Sequence, residues 1–295
     1  MLKSIKSLSK LGLIFTITTG LFMGCASDKD VVNDQVNTSD KKIIFGVTPW
    51  TSTIPPTKIA GLILKDMGYT VEEISADAGS VYAGLSKGDV DVFMDSWLPD
   101  THKNYMDTFG ENIDDVSVSY PDGELGWVIP NYIEGINSMD DLKGKEDLFG
   151  GKIYGVEEGA GITIASKEAL EGYGFDFEYV ASSEGAMLAQ VSKLMKNEEP
   201  VIFVGWRPHP MFINYDLNVL KDEKEYFKTS EIHVIANKSL KEEQPEAYEF
   251  LSKWSIDVGD VEKMIVEIES GKSAEEVAKE WISNNQDKVN KMLGK

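Results

Sequence analysis

The chain has 295 residues and a formal net charge of −21, with 50 acidic against 29 basic side chains. An excess of acid this large repels nucleic-acid phosphates and anionic lipid and is compatible with a cationic ligand. A single cysteine excludes an internal disulfide and any cysteine-rich metal site.

Lys3, Lys6 and Lys10 precede an apolar run from Leu11 to Met23, which is short for a membrane-spanning helix and reads as a targeting signal. It ends in Leu21-Phe-Met-Gly-Cys25, which resembles the lipobox of bacterial lipoproteins. That resemblance implies removal of residues 1–24 as a signal peptide and diacylglyceryl attachment to Cys25, the lone cysteine. Removal takes away three lysines and no acid, so what remains is more acidic still. Residues 25–41, rich in Ser, Asn, Asp and Val and without an aromatic from Ala26 to Asp40, read as a flexible tether.

The strand Lys42 to Val47 leads into Thr48-Pro-Trp50, and a helix begins near Pro55-Pro56 with Ile59, Leu62, Ile63 and Met67 on one face and Gly68 as its stop. A strand Tyr69 to Ile74, a helix Ser80 to Lys87 and an apolar strand Val90 to Met94 follow. The last strand runs into Asp95-Ser-Trp-Leu-Pro-Asp-Thr-His102, with Asp100 or Thr101 as the expected cap of a further helix. Strand–helix alternation at this spacing predicts a parallel sheet.

Leu125 to Pro130 reads as a strand, and Ser138 to Leu142 as a short capped helix. Lys152 to Val156 then repeats the first strand, followed by Glu157-Glu-Gly-Ala-Gly-Ile162 and a helix Thr163 to Glu171. Val180-Ala-Ser-Ser-Glu-Gly185, a helix Ala186 to Lys196 and the strand Val201-Ile-Phe-Val-Gly-Trp-Arg-Pro208 repeat the rest, about 110 residues on. The expected organisation is therefore two related α/β lobes: lobe 1 from 42–130 and 232–295, lobe 2 from 131–231, with a ligand cleft between them. The strand Ile232 to Ala236 returns the chain, and helices Pro245 to Ser255, Val258 to Glu269 and Ser273 to Asn285 close it. Trp127, Trp254 and Trp281 fall at core positions of these elements.

That leaves Trp50, Trp97 and Trp206 just past the C-terminal ends of strands, where open α/β sheets bind ligands. Core packing for Trp97 and a satisfied histidine at position 102 is the plainer reading of one such stretch; its second copy favours a site. No Gly-Lys-Ser/Thr follows the glycine-rich loop, His102, His209 and His233 lack metal-ligand spacing, and no catalytic arrangement is visible, so no cofactor, metal or enzymatic activity is expected. Tryptophan faces bind a quaternary ammonium, which has no hydrogen to donate. The amides of Gly161 and Ile162 at a helix start, with His102, suit an anionic group on the same molecule.

These motifs together resemble the substrate-binding proteins of glycine betaine ABC importers. The marks are Val47-Thr-Pro-Trp50, Asp95 to His102, Gly155-Val-Glu-Glu-Gly-Ala-Gly-Ile162, Ser183-Glu-Gly-Ala-Met187 and Gly205-Trp-Arg-Pro-His-Pro-Met-Phe212, and the resemblance spans everything after the tether. It implies a two-lobed, type II periplasmic-binding-protein-like fold with two crossovers and a cage of Trp50, Trp97 and Trp206 around a trimethylammonium group. It also implies a carboxylate held by the backbone of Gly161 and Ile162 and by His102. The implied partners are a betaine-type small molecule, a membrane permease with its ATPase, and the membrane through the N-terminal lipid; nucleic acid is not among them. The family pattern has tryptophan where Pro210 stands, which leaves the role of His209 open. Other readings are a binding protein for carnitine, choline or proline betaine, a ligand-presenting sensor, or an enzyme on the same architecture.

Overall fold

A computed structural model describes residues 41–295. The signal segment, Cys25 and the tether to residue 40 lie outside the described residues.

In the first half, β1 (Lys42–Val47), β2 (Thr70–Ser75) and β3 (Val92–Leu98) are parallel, joined by α1 (Ile54–Asp66) and α2 (Ala78–Lys87). Asp77 caps α2 by accepting the Ser80 N–H, and Gly88 ends it in the left-handed conformation. α3 (Lys103–Phe109) leads to the 18-residue strand β4 (Ile113–Pro130). The second half repeats the plan with β5 (Lys152–Gly155), α4 (Gly161–Tyr173), β6 (Glu178–Ala181), α5 (Glu184–Lys196) and β7 (Ile202–Arg207). A short helix α6 (Met211–Asn214) and β8 (Leu217–Val219) precede β9 (Ser230–Asn237).

The strand order β2-β1-β3-β9-β4-β7-β5-β6 is nearly a palindrome. Each half has its first strand flanked by its second and third, so β3 and β7 occupy equivalent positions facing the middle. Two chain passages join the halves: β4, and the return from β8 to β9. β4 pairs antiparallel with β9 up to Gly123 and with β7 from Glu124 onward. Residues 124–130, given to the first lobe from sequence, thus hydrogen-bond to β7 and β8. A strand can leave one sheet for another without a turn, and here the change is marked only by Asp122, at φ 65°, and Gly123. A Cβ on Gly123 would clash with Ile232 Cδ1 and stand 2.9 Å from Trp97 Cζ3, so the crossing backbone packs directly against that indole.

The strands carrying the two site tryptophans are longer than their apolar runs. Trp97 pairs with Ile232, past a register shift between Phe93 and Ser96, and Trp206 pairs with Leu125, so both ladders reach almost to the prolines at 99 and 208. Both tryptophans are therefore last-turn members of strands and not loop residues beyond them. The cap of α3 is His102, with no side-chain bond, and not Asp100 or Thr101; the histidine ring is engaged elsewhere.

The remaining helices are α7 (Leu240–Glu243), α8 (Pro245–Ser252), α9 (Val258–Glu269), α10 (Ala274–Asn284) and α11 (Gln286–Met292). α10 starts with a capping box, Ser273 and Glu276 each bonding the other's backbone. α9 and α10 pack on α1 of the first half, and Val261, Met264, Ile265, Val277 and Trp281 of these two helices are buried. Trp127, Trp254 and Trp281 are buried, and their indole N–H groups are donated to Ser166, Ser119 and Asp260.

Candidate ligand-binding site

The site grows from the turn that follows β3. His102 N–H bonds the Trp97 carbonyl at 2.9 Å, and His102 Nδ1 accepts the Trp97 N–H at 3.0 Å. Since Nδ1 is an acceptor, the neutral ring carries its proton on Nε2. Burial holds the ring neutral by pushing its pKa down to about 3. The ring is wedged between Trp50, stacked at 5.8 Å, and the edge-on ring of Tyr82 at 5.7 Å.

Asp95 sits beneath this turn, fully buried on β3. It accepts hydrogen bonds from Ser52 Oγ at 2.7 Å, Thr53 Oγ1 at 2.7 Å and Trp97 Nε1 at 3.0 Å. Burial raises its pKa; the three donors act in the opposite direction. The bond to Trp97 orients that indole and leaves electron density on its ring. Trp50 is held in the same way from the other half: its Nε1 is donated to Glu157 at 2.8 Å.

On the second half, α4 begins at the cavity wall. Thr163 N and Ile164 N both use the Ala160 carbonyl. The N–H groups of Gly161 and Ile162, in the first turn, are left without a helix acceptor, at the positive end of the helix dipole. Gly161 is required by close approach. A Cβ there would lie 2.5 Å from the Thr101 carbonyl and 3.1 Å from His102 Cδ2, both in the first half. Trp206 packs edge-on against His209 at 4.9 Å. His209 accepts from Met211 N at Nδ1 (3.0 Å) and bonds Glu184 Oε1 through Nε2 (3.2 Å), so both of its ring nitrogens are engaged within the protein.

One cavity is lined by Trp50, Trp97, Trp206, His102, Gly161 and Ile162 together, with Leu125 and Val156 among its apolar wall. All six residues singled out in sequence meet there. His209 is not part of that lining; it buttresses Trp206 from behind. Sequence reasoning missed Asp95, Glu157 and Glu184. Each lies inside a motif quoted above, and an acid within a run of apolar or glycine residues was the available sign. Chemically the cavity offers aromatic faces, with the Trp50 and Trp97 indoles bonded to carboxylates, together with N–H donors, and there is no metal-binding cluster among the described residues. Among the described residues no helix is long and apolar enough to cross a membrane.

Comparison with known proteins gives a consistent picture. Residues 41–284 match the family described as the substrate binding domain of the ABC-type glycine betaine transport system, a family of transport proteins and not of enzymes. The glycine betaine/carnitine transport binding protein GbuC of Listeria monocytogenes is 39% identical over 143 residues, 47% of this chain and 48% of that protein; the match spans about half the relative's length. Lactococcal OpuAC, solved closed with glycine betaine, superposes with a TM-score of 0.82 at 33% identity, covering 86% of this chain and 100% of that one. A choline binding protein solved with choline gives 0.81 at 26% identity, covering 87% and 92%. The fold is accordingly the two-lobed type II architecture expected from sequence.

Proposed function

We propose, because this chain belongs to the family of substrate-binding domains of ABC-type glycine betaine transport systems, that it captures glycine betaine or a close betaine outside the cytoplasm. It then delivers the ligand to a membrane permease driven by an ATPase. The observation that carries this reading is the convergence of three tryptophans, one neutral histidine and two helix-start amides on a single cavity. The trimethylammonium group sits among Trp50, Trp97 and Trp206, where dispersion and cation–π attraction replace its hydration. The carboxylate, one methylene away, faces the N–H groups of Gly161 and Ile162 and His102 Nε2–H. Asp95, bonded to the Trp97 indole N–H, stands behind the aromatic wall and favours a cation there.

The two halves act as lobes that close on the ligand about β4 and the return to β9, as hinge-closing receptors do. The signal peptide is removed before Cys25, and lipid on Cys25 holds the protein at the outer face of the membrane. Calorimetric titration with glycine betaine, proline betaine, carnitine and choline tests the ligand class. Glycine, which keeps the carboxylate but has no methyl groups, is the control. A betaine should bind and glycine should not. Heat with glycine equal to that with glycine betaine, or with none of the panel, overturns the reading.

A further inference from the structure

Two acids of the second half reach across to the same short segment of the first. Glu157, just after β5, accepts the Trp50 indole N–H at 2.8 Å. Glu184, the first residue of α5, accepts the Thr51 backbone N–H with Oε2 at 3.1 Å, while its Oε1 takes the bond from His209 Nε2 at 3.2 Å. Trp50 and Thr51 follow β1, so these bonds exist only while the halves are together. Glu184 and His209 are buried, and the two bonds across the halves are part-buried, so water reaches them only in part. A carboxylate bond of this kind, made on closing and broken on opening, resists opening more than a solvated pair does.

The geometry points to Glu157 and Glu184 as positioning residues that latch the closed state without touching ligand; this rests on reading the cavity as a betaine site. Each ties closure to one ring of the cage. Glu157 fixes Trp50 directly. Glu184 bonds His209, which packs on Trp206, and its other oxygen takes the Thr51 N–H when the halves meet. Glu184 is poorly replaced even by its amide. His209 Nδ1 is committed to Met211 N, so Nε2 must donate, and Thr51 N must also donate. Both oxygens of Glu184 are needed as acceptors, and glutamine has one.

The test is stopped-flow tryptophan fluorescence of the full chain with glycine betaine and separately with choline. It compares wild type, Glu184→Gln and Glu157→Ala, with thermal melts of each ligand-free protein. The latch predicts dissociation about tenfold faster or more in each variant, by the same factor for both ligands, because the acids read neither ligand end. Association rates and ligand-free melting temperatures should stay close to wild type. Wild-type dissociation rates in both variants overturn the latch while leaving the betaine site standing. A ligand-free melting temperature lowered in step with the affinity overturns it in favour of a merely structural role. Failure of the wild-type chain to bind either compound overturns the betaine reading and the latch with it.

Discussion

Trp97 and His102 are bonded to each other twice: the histidine's backbone N–H to the tryptophan carbonyl at 2.9 Å, and the tryptophan's backbone N–H to histidine Nδ1 at 3.0 Å. One six-residue segment therefore sets the position of an indole on the cavity wall and the tautomer of the ring beside it. A proton on Nδ1 would have to displace the Trp97 N–H, so the neutral, Nε2-protonated form is built into the backbone of the site.

This makes a prediction for acid stability. Burial depresses the folded-state pKa of His102 from 6.5 to about 3. Between those values the unfolded chain binds a proton at this residue that the folded chain refuses. Its contribution is thus fully present above pH 6.5 and is lost as pH falls toward 3. At pH 5 the loss is about 2 kcal/mol, from 1.5 units at 1.36 kcal/mol each. Chemical denaturation at pH 7 and pH 5 should show His102→Gln losing less stability than wild type by about that amount. Equal losses would show that His102 is not the depressed group.

Much of the architecture was legible because it is local. β1 and α9 coincide with their sequence-based limits, residues 42–47 and 258–269, since each is fixed by its own periodicity and breakers. The repeat was legible because both copies keep a tryptophan and a proline after an apolar run. What was not legible depends on distance along the chain. Thr51 and Glu184 are 133 residues apart, Trp50 and Glu157 are 107 apart, and no pattern near either acid names its partner. Asp95 stands just after an apolar run in the sequence, and Ser52 and Thr53, which satisfy it, lie more than 40 residues away. The crossing of β4 was hidden because a strand that changes sheets leaves no turn to read.

The three tryptophans of the cavity and the two C-terminal ones should separate cleanly. A desolvated cation–π contact is worth about 2 kcal/mol. Trp50→Ala, Trp97→Ala and Trp206→Ala should each weaken glycine betaine binding tenfold or more by calorimetry. Trp254 and Trp281 face Ser119 and Asp260 inside the first half, so their alanine variants should lower the melting temperature while the folded fraction binds near-normally. The assignment fails if Trp254 or Trp281 proves essential for affinity and a cage residue does not.

Gly161 tests whether the halves must approach as closely as they do here. Alanine is a good residue for the first turn of a helix, so Gly161→Ala should not harm α4 itself. Its methyl would nevertheless stand 2.5 Å from the Thr101 carbonyl across the cleft. Overpacking of this kind costs about 1–3 kcal/mol, so betaine affinity should fall roughly fivefold to a hundredfold. The ligand-free melting temperature should be unchanged or higher. Unaltered affinity would show that the bound state is more open than this one.

The proposed membrane location rests on Cys25, outside the described residues. Cys25→Ala should move the protein from the membrane fraction to the soluble one, since among the described residues no helix can cross a membrane. Continued sedimentation with membranes would overturn the lipid-anchor reading.

The two ends of the ligand can be told apart with one side chain and two compounds. If His102 Nε2–H donates to the carboxylate, that charge-assisted bond contributes about 1.5–3 kcal/mol. His102→Ala should therefore weaken glycine betaine binding roughly tenfold to a hundredfold. Choline carries the same trimethylammonium group but a hydroxyl in place of the carboxylate, so the variant should change its binding far less. Any general damage to the turn that holds Trp97 would weaken both ligands alike and cancels in the double difference. Trp97→Ala provides the contrast, because it removes a cage face from both compounds and should weaken both by a similar factor. A coupling near zero between His102 and the carboxylate would leave that group to the amides of Gly161 and Ile162 alone. The histidine would then serve the cage as the acceptor that holds Trp97 in place.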